Sequence, residues 1–249
     1  MQAKLRRVLR IALLTGSLLV CLLPHLLYRL FRLRSPWPPR FLAFAAWSAG
    51  ARVSISGQPL GHDAFYVCNH VSWIDILVLG GHARCAFVAH DGIAQWPLIG
   101  WLAAQNHTIF VARDRRHHVH RQIDELREAL SSHQPIAIFP EGTTGDGARL
   151  NPFKPSLFAV MLPPPRNMLV QPVFVDYGDA AGSIAWCGGE PAGANAARIL
   201  ARTGNLPVTL RFLEPFDPKD FPDRKAIAAQ AQKRIAACLP PIADVAAHV

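Results

Sequence analysis

The sequence predicts an α/β domain with a mixed, largely parallel central sheet flanked by helices, preceded by an N-terminal membrane-associated helical hairpin. Three observations support this prediction. Short apolar runs of strand length recur after residue 50, helical periodicity fills several of the intervals between them, and the first 50 residues are instead basic and strongly apolar. Strands that alternate with helices are typical of an α/β sandwich. We therefore divide the chain into a basic, apolar membrane-anchoring segment over residues 1–50 and an α/β domain over residues 51–249.

The distribution of charge separates these two segments. The chain carries 26 Lys and Arg against 17 Asp and Glu, a net charge of +9. Residues 1–40 hold eight of the basic groups and no acidic one, so the rest of the chain is nearly neutral. A nucleic-acid-binding domain would carry its basic excess on the folded body, so we predict no nucleic acid partner. Cations beside an apolar stretch favour an anionic membrane surface instead. The eight basic residues are Lys4, Arg6, Arg7, Arg10, Arg29, Arg32, Arg34 and Arg40.

The apolar run over residues 11–27 is the candidate membrane segment. It is about 17 residues long, which is the lower limit for crossing a bilayer. Pro24 and His25 interrupt it near its end, and four basic residues flank it on each side, so the positive-inside rule gives no orientation. Two alternatives stay open: a helix that crosses the bilayer and a helix that lies in its interface. A second apolar stretch, residues 41–51, is too short to cross and is expected to pack beside the first as a helical hairpin.

After residue 50 the pattern changes to strands and helices. Val53 and Ile55 alternate with serines and precede a glycine, which is typical of a half-buried strand and its turn. Alternation at Val208, Leu210 and Phe212 predicts a less buried late strand. Five apolar runs predict buried strands at residues 64–68, 85–89, 108–112, 136–139 and 169–175. Stripes at helical spacing predict two helices, one with Val119, Ile123, Leu126 and Leu130 and one with Ile227, Ala231, Ile235 and Cys238.

Three of the buried runs are followed at once by polar residues. Asn69 and His70 follow residues 64–68, Arg113 follows residues 108–112, and Glu141 follows residues 136–139 after one proline. Ligands bind at the carboxyl ends of the strands in open α/β sheets. We therefore expect His70, Arg113 and Glu141 to surround one crevice.

The His70-x-x-x-x-Asp75 spacing suggests an acid–base pair. A histidine can take a proton from an alcohol, and a carboxylate on its other ring nitrogen stabilises the imidazolium that forms. A spacing of five is awkward on a regular helix but is feasible if His70 lies in the turn before the helix. The alternative interpretation is that Asn69 caps the helix and His70 is a surface residue.

The loop from Glu141 to Gly147 and the side chain of Arg113 suggest a site for a polar headgroup. The small residues Gly142 and Thr143 and those after them leave backbone N–H groups open to an anion, and Glu141 supplies an acceptor for a hydroxyl or a cation. Arg113 could clamp a phosphate through two parallel hydrogen bonds. The alternatives are an ordinary surface loop and, for Arg113, a surface salt bridge.

Together these motifs resemble a known family. Asn69-His70-x-x-x-x-Asp75, Ile109-Phe110-Val111-x-Arg113, Phe139-Pro140-Glu141-Gly142-Thr143 and Gln171-Pro172-Val173 are similar, in order and spacing, to the four motifs of the glycerolipid acyltransferases. The best-known members of that family are the 1-acylglycerol-3-phosphate (lysophosphatidic acid) acyltransferases. The resemblance covers roughly residues 50–215, and an N-terminal helical hairpin is also similar to bacterial members.

The resemblance implies a role for each motif. His70 would be the general base, oriented by Asp75, and Arg113, Glu141, Gly142 and Thr143 would bind the acceptor headgroup. It also implies acyl-CoA or acyl carrier protein as the donor co-substrate, with no cofactor, no metal and no covalent acyl-enzyme. We expect a membrane-associated O-acyltransferase that converts 1-acylglycerol-3-phosphate into phosphatidic acid.

Some positions depart from the family pattern and leave the acceptor open. His90 stands where many members have Lys, and His107 and Ala112 stand where Gly and Asp are common. Residues 96–101, together with 143–147 and 152–154, also look like bacterial relatives that acylate lyso-ornithine lipid. Acylation of lyso-ornithine lipid is therefore the alternative acceptor reaction. A non-catalytic phospholipid-binding protein of the membrane surface is the alternative from another class.

Two further expectations concern metals and location. His117, His118 and His120 resemble a metal cluster, but they stand among arginines that would repel a divalent cation, so we predict no metal site. The five cysteines are odd in number and scattered, which fits a reducing compartment. We expect the protein at the bacterial inner membrane with its catalytic domain on the cytoplasmic face.

Overall fold

The protein forms a seven-stranded sheet with helices on both faces. The structure is a computed structural model that describes residues 1–111 and 134–240. In spatial order the strands are β1-β7-β6-β2-β5-β3-β4. Their bounds are β1 Ala51–Ser56, β2 Ala64–Cys68, β3 Ala86–His90, β4 Ile109–Val111, β5 Ile136–Ile138, β6 Leu169–Asp176 and β7 Leu206–Phe212.

The sheet is mixed and largely parallel, as predicted. The five strands from β6 to β4 are parallel to one another. Strand β7 runs antiparallel to β6, with Val173 opposite Phe212, and β1 pairs in parallel with β7. Strand β2 lies in the middle, and all five of its residues are buried. Its carboxyl end therefore opens onto a crevice between neighbouring strands, the place where α/β folds bind ligands.

Eight α-helices are present in the described residues. Helix α1 spans Gln2–Leu30, α2 Trp37–Ser48, α3 Ile74–His82, α4 Asp91–Ala94, α5 Pro97–Gln105, α6 Ala181–Ile184, α7 Ala192–Ala201 and α8 Arg224–Ala236. Three short 3-10 helices span Pro155–Met161, Gly178–Ala180 and Pro218–Asp220. The helix predicted around Val119–Leu130 lies outside the described residues.

Alternation along β2 divides the core into two layers. Ala64, Tyr66 and Cys68 pack on one face with side chains of α2, α3 and α7, whereas Phe65 and Val67 pack on the other face with α8 and the 3-10 helix Pro155–Met161. Successive side chains of a strand point to opposite faces, so a fully apolar run serves both layers. This is why residues 64–68 contain no polar side chain apart from the tyrosine hydroxyl.

Helices α1 and α2 form the predicted hairpin. Helix α2 begins at Trp37, four residues before the apolar stretch predicted from the sequence, and ends at Ser48 because Ala51 already belongs to β1. Helix α1 is long and apolar enough to cross a membrane, and only 11% of its most apolar window is buried. The exposed leucines of α1 agree with association with a lipid surface.

Both ends of α1 are attached to the α/β domain. Near its start, Arg10 donates to the carbonyl oxygens of Ile199 at 3.2 Å and of Gly204 at 2.9 Å, in the segment before β7. Near its end, Arg29 donates to Gln105 Oε1 at 2.9 Å, at the end of α5. The helix therefore lies along the domain instead of projecting from it. Of the two alternatives left open by the sequence, this arrangement favours a helix in the membrane interface.

Candidate active site

The carboxyl end of β2 leads directly into the predicted His70 motif. Asn69 is buried, and its side chain accepts from the N–H of Val175 at 2.7 Å and donates to the Val175 carbonyl at 3.1 Å. It thereby joins the end of β2 to β6. Helix α3 begins later, with Trp73 as its N-cap residue. The alternative interpretation of Asn69 as a helix cap is therefore wrong, because its amide is used by the neighbouring strand.

His70 and Asp75 form a hydrogen-bonded pair. His70 Nδ1 lies 2.8 Å from Asp75 Oδ2. As predicted, His70 lies in the turn before α3, and Asp75 lies in the first turn of that helix. This placement brings the two side chains into contact although they are five residues apart. The Asp75 carboxylate is fully buried, whereas 18% of the His70 side chain is exposed. The ring nitrogen on the far side from Asp75, Nε2, can therefore meet a substrate while Nδ1 is held.

The Asp75 carboxylate has four hydrogen-bond donors. Oδ2 also accepts from the backbone N–H groups of Val71 at 2.7 Å and Ser72 at 2.9 Å. Oδ1 accepts from the Tyr177 hydroxyl at 2.5 Å. A buried charge is tolerated only when such partners satisfy it, so these contacts keep the carboxylate in one position. Tyr177 directly follows β6, so residues after the ends of β2 and β6 contact the same carboxylate. Burial raises the pKa of the Tyr177 hydroxyl well above its ordinary value.

Glu141 lies beside this pair but faces the backbone. Its side chain is 3% exposed, Oε1 accepts from the His70 N–H at 2.9 Å, and Oε2 accepts from the Asn151 N–H at 2.8 Å. Burial raises the pKa of the carboxyl, and the N–H groups of Asn151 and His70 oppose that shift. With both oxygens occupied, the geometry gives Glu141 a positioning role for His70. The contact with the headgroup expected for Glu141 stays a prediction.

The loop after Glu141 differs in part from the anion site predicted for it. Gly142 has a φ of +70°, a conformation that favours glycine, and a Cβ there would come within 2.6 Å of Lys154 Nζ. The N–H groups of Gly142 and Gly145 donate to the carbonyls of Phe139 and His70 at 3.0 and 2.7 Å. These two amides are therefore used within the protein and do not supply the predicted anion site.

Thr143 is exposed on the same loop, and its predicted contact with substrate stays a prediction. Arg113 lies outside the described residues, as do Ala112, His117, His118 and His120, so their predicted roles also stay predictions. Within residues 1–111 and 134–240, no group of three or more His, Cys, Asp or Glu side chains could hold a metal ion.

Two of the positions that depart from the family pattern can be placed. His90 caps α4 by accepting from the Gly92 N–H at 2.9 Å, and it lies 3.2 Å from Asp91. His107 has a φ of +58°, a conformation in which glycine costs less, and glycine is common at this position in the family.

Comparison with known proteins agrees with this geometry. A family model described as Acyltransferase matches residues 52–176, which contain all four motifs. The chain belongs to the acyltransferase family. A lyso-ornithine lipid O-acyltransferase of Rhodobacter capsulatus is 36% identical over 194 residues, covering 75% of this chain and 69% of that relative. One of Brucella abortus is 32% identical over 231 residues, covering 85% and 86%.

A second group of relatives carries another name. A 1-acyl-sn-glycerol-3-phosphate acyltransferase of Neisseria gonorrhoeae is 27% identical over 210 residues, covering 82% of this chain and 80% of the relative. The crystal structure of the 1-acyl-sn-glycerophosphate acyltransferase of Thermotoga maritima is similar with a TM-score of 0.61 over 94% of this chain and 97% of that one. At 16% sequence identity this likeness shows the fold alone.

The acyltransferase holds an apolar cavity of about 410 Å³, which is linked to His70 through two aromatic rings. The ring of Phe139 stacks on His70 with centroids 4.1 Å apart. Phe139 also stacks on Phe87, and Phe87 lines the cavity. Trp73, three residues after His70, lines it too. Other lining residues come from α1, α2, α3 and α5 and include Leu18, Leu22, Phe41, Ile76 and Leu102.

Sequence reasoning missed Tyr177, Asn151, Lys154 and Phe139 in this acyltransferase. Tyr177 had a usable signal in the sequence, since it is polar and follows the buried strand β6 as His70 follows β2. Lys154 was quoted only for its resemblance to other acyltransferases. Asn151 had no signal, because its contact with Glu141, which includes its backbone N–H, depends on how the loop folds and follows no local motif.

We predict that Glu141→Gln destabilises the protein by about 1–3 kcal/mol, because an amide can accept only one of the two N–H groups and leaves the other unsatisfied. Since burial raises the pKa of Glu141, the carboxyl contributes most to stability below its ordinary pKa and less as the pH rises through the raised value. The loss in Glu141→Gln should therefore shrink as the pH rises. Urea unfolding between pH 4 and pH 8 measures both effects.

The control is Glu214→Gln, at an exposed glutamate outside the site. It should unfold like wild type at each pH. A Glu141→Gln protein as stable as this control would contradict the two-acceptor role of Glu141.

Proposed function

We propose that this acyltransferase moves a fatty acyl group from a thioester donor to the free hydroxyl of lyso-ornithine lipid, with His70 as general base. The observation that carries the chemistry is the 2.8 Å contact between His70 Nδ1 and the buried Asp75 carboxylate. That contact leaves Nε2 for proton transfer and stabilises the imidazolium. The names of the relatives with 36% and 32% identity support the acceptor.

The proposed reaction is a direct transfer. His70 Nε2 accepts the proton of the acceptor hydroxyl while its oxygen attacks the thioester carbonyl carbon. The new C–O bond forms and the carbonyl electron pair moves onto oxygen, giving a tetrahedral intermediate. Its collapse breaks the C–S bond, and the imidazolium returns the proton to the leaving thiolate. The products are an ester and a free thiol, so no cofactor is required and acyl-CoA or acyl carrier protein can serve as donor.

The apolar cavity supports a substrate with a hydrocarbon chain. Its lining is almost entirely apolar, and Phe87 in that lining stacks on Phe139, which in turn stacks on His70. A chain placed there loses contact with water, which supplies binding energy in proportion to the buried area. The reacting group at the end of that chain would then lie at the mouth of the cavity, next to the histidine.

The headgroup is the finer part of the proposal. Lyso-ornithine lipid presents a carboxylate and a cation, whereas 1-acylglycerol-3-phosphate presents a phosphate monoester. Lys154 Nζ lies against Gly142, one residue after Glu141, and could meet a carboxylate. The phosphate acceptor expected from Arg113 has weaker support, because the relative of that name is only 27% identical. We also propose that the enzyme works on the cytoplasmic face of a bacterial inner membrane, held there by α1.

We predict that His70→Ala lowers kcat by about 10² to 10⁴-fold while the protein stays folded, and that Asp75→Asn lowers it through the wrong tautomer. Steady-state acyl transfer with purified protein and acyl-CoA measures the loss. His62→Ala, at a histidine whose side chain is 79% exposed, is the control and should turn over like wild type. If a folded His70→Ala protein keeps wild-type turnover, His70 is not the base. If wild type transfers no acyl group at all from either donor, the non-catalytic alternative stands.

The acceptor preference is measured by kcat/KM for lyso-ornithine lipid, 1-acylglycerol-3-phosphate and monoacylglycerol. We expect lyso-ornithine lipid to be preferred, and Lys154→Gln to raise its KM by a factor corresponding to about 1.5–3 kcal/mol, the range for a charge-assisted hydrogen bond. Arg113→Lys should matter little for this acceptor. A preference for 1-acylglycerol-3-phosphate that Arg113→Lys removes would overturn the proposed acceptor and leave the acyl-transfer chemistry intact.

A further inference from the structure

An exposed apolar patch lies between β3 and β4, away from the membrane segment in the sequence. Residues 92–106 contain no charged side chain. Within helices α4 and α5 only Gly100 is buried, and Asn106 is buried just after α5. The exposed residues of the patch, with their exposed fractions, are Ile93 37%, Trp96 48%, Leu98 56%, Ile99 47% and Trp101 39%. Contiguous exposed apolar surface of this kind marks an interaction site.

The patch continues the exposed surface of α1. Gln105, the last residue of α5, accepts from Arg29 at 2.9 Å and lies 3.1 Å from His25 Nε2, so the end of α5 is attached to the last turns of α1. Leu98, Ile99 and the residues of α1 line the same cavity. The exposed apolar residues of α5, such as Leu98, therefore belong to a helix that is attached to α1, which itself exposes Leu23 and Leu30.

The chemistry of the patch fits a lipid surface. Trp96 and Trp101 are amphipathic residues that favour the boundary between headgroups and acyl chains. Burial lowers the pKa of His107, two residues after α5, and the neighbouring cations Arg34 and Arg29 lower it further. Cations thus border the patch at the end of α5, where they would meet anionic headgroups.

We propose that residues 93–101 are a second lipid contact, inserted into the same leaflet of an anionic membrane as the exposed face of α1. Two contacts on different elements fix the rotation of the α/β domain about α1. The patch and the cavity wall share Leu98 and Ile99, so insertion places that wall against the acyl chains of the membrane. This inference does not depend on the acceptor or on the role of His70.

The test places an environment-sensitive NBD label at Leu98→Cys in the full chain, with exposed Cys187 and half-buried Cys238 replaced by serine. The matched control is Ala229→Cys, an exposed position of α8 on the opposite face of the sheet. Vesicles of phosphatidylcholine with one quarter phosphatidylglycerol are added at low salt and in 1 M NaCl. We expect a blue shift and a several-fold gain in emission at position 98, persisting in high salt because apolar insertion is not screened, and no change at position 229.

Three outcomes overturn the proposal. If the label at position 98 stays unchanged while the protein sediments with the vesicles, residues 93–101 do not contact lipid. If both labels respond equally, the chain aggregates on the vesicles. If the label at position 98 is blue-shifted before lipid is added, in a protein that sediments as a dimer, a second copy covers the patch.

A separate observation concerns Tyr177 and rests on the proposed function. Its side chain is 3% exposed, and its hydroxyl donates to Asp75 Oδ1, the oxygen opposite the one that holds His70. The titratable groups around this contact are His70, Glu141 and the buried thiol of Cys68, which burial keeps protonated by raising its pKa. We infer that Tyr177 is a positioning residue. Its hydrogen bond to Asp75 weakens the interaction between the Asp75 carboxylate and the protonated ring of His70.

The test is Tyr177→Phe, with Tyr66→Phe as control because Tyr66 is also buried and donates to a backbone carbonyl, that of Leu60. We expect Tyr177→Phe to lower kcat about tenfold with little change in KM, and to move the acid limb of the kcat/KM profile upward by about half to one pH unit. Tyr66→Phe should change neither kcat nor the acid limb. If His70→Ala removes activity but Tyr177→Phe leaves kcat and the acid limb unchanged, this inference fails alone. If His70→Ala keeps its activity, the proposed function fails first.

Discussion

The rest of the site depends on one buried carboxylate. Asp75 has no exposed surface, and four donors converge on it from the turn after β2 and from the end of β6. An uncompensated charge in that position would cost several kcal/mol, so the donors and the carboxylate require one another. This requirement explains why β2 and β6 must be adjacent and parallel. Only then do His70 and Tyr177, each just beyond a strand, reach the same group.

Glu141 is a second buried carboxylate that holds the site together, in the loop after β5. Its two oxygens hold the backbone of His70 and of Asn151, so the loop after β5 is tied to the loop after β2 without any regular secondary structure. The Gly145 N–H also donates a hydrogen bond to the His70 carbonyl. The histidine is thus held through its backbone by one carboxylate and through its ring by another. Such double attachment limits the motion of the imidazole, which the proposed role of His70 as general base would require.

Much of the fold was predictable because buried parallel strands consist of short continuous runs of apolar residues. Strand β2 matches its predicted bounds, and the His70–Asp75 pair follows from spacing within one turn. The reversal of β7 and β1 was not predictable in the same way, since the direction of a strand leaves no mark on its hydrophobic pattern. The contacts of Asn69 and Tyr177 join residues more than 100 positions apart, and no local rule reports them. The acceptor could not be predicted from Arg113 alone, because one basic side chain does not distinguish a phosphate from a carboxylate, and the names of the relatives with 36% and 32% identity support lyso-ornithine lipid better.

The cavity crosses the compositional boundary at residue 50. Part of its wall is built from α1 and α2 and the rest from α3, α5 and β3. A shortened protein that begins at residue 51 would lack α1 and α2, and the apolar cavity would be open along that side. The N-terminal hairpin and the α/β domain therefore build one cavity together. A purification that disturbs the hairpin is expected to alter the cavity as well as the solubility of the protein.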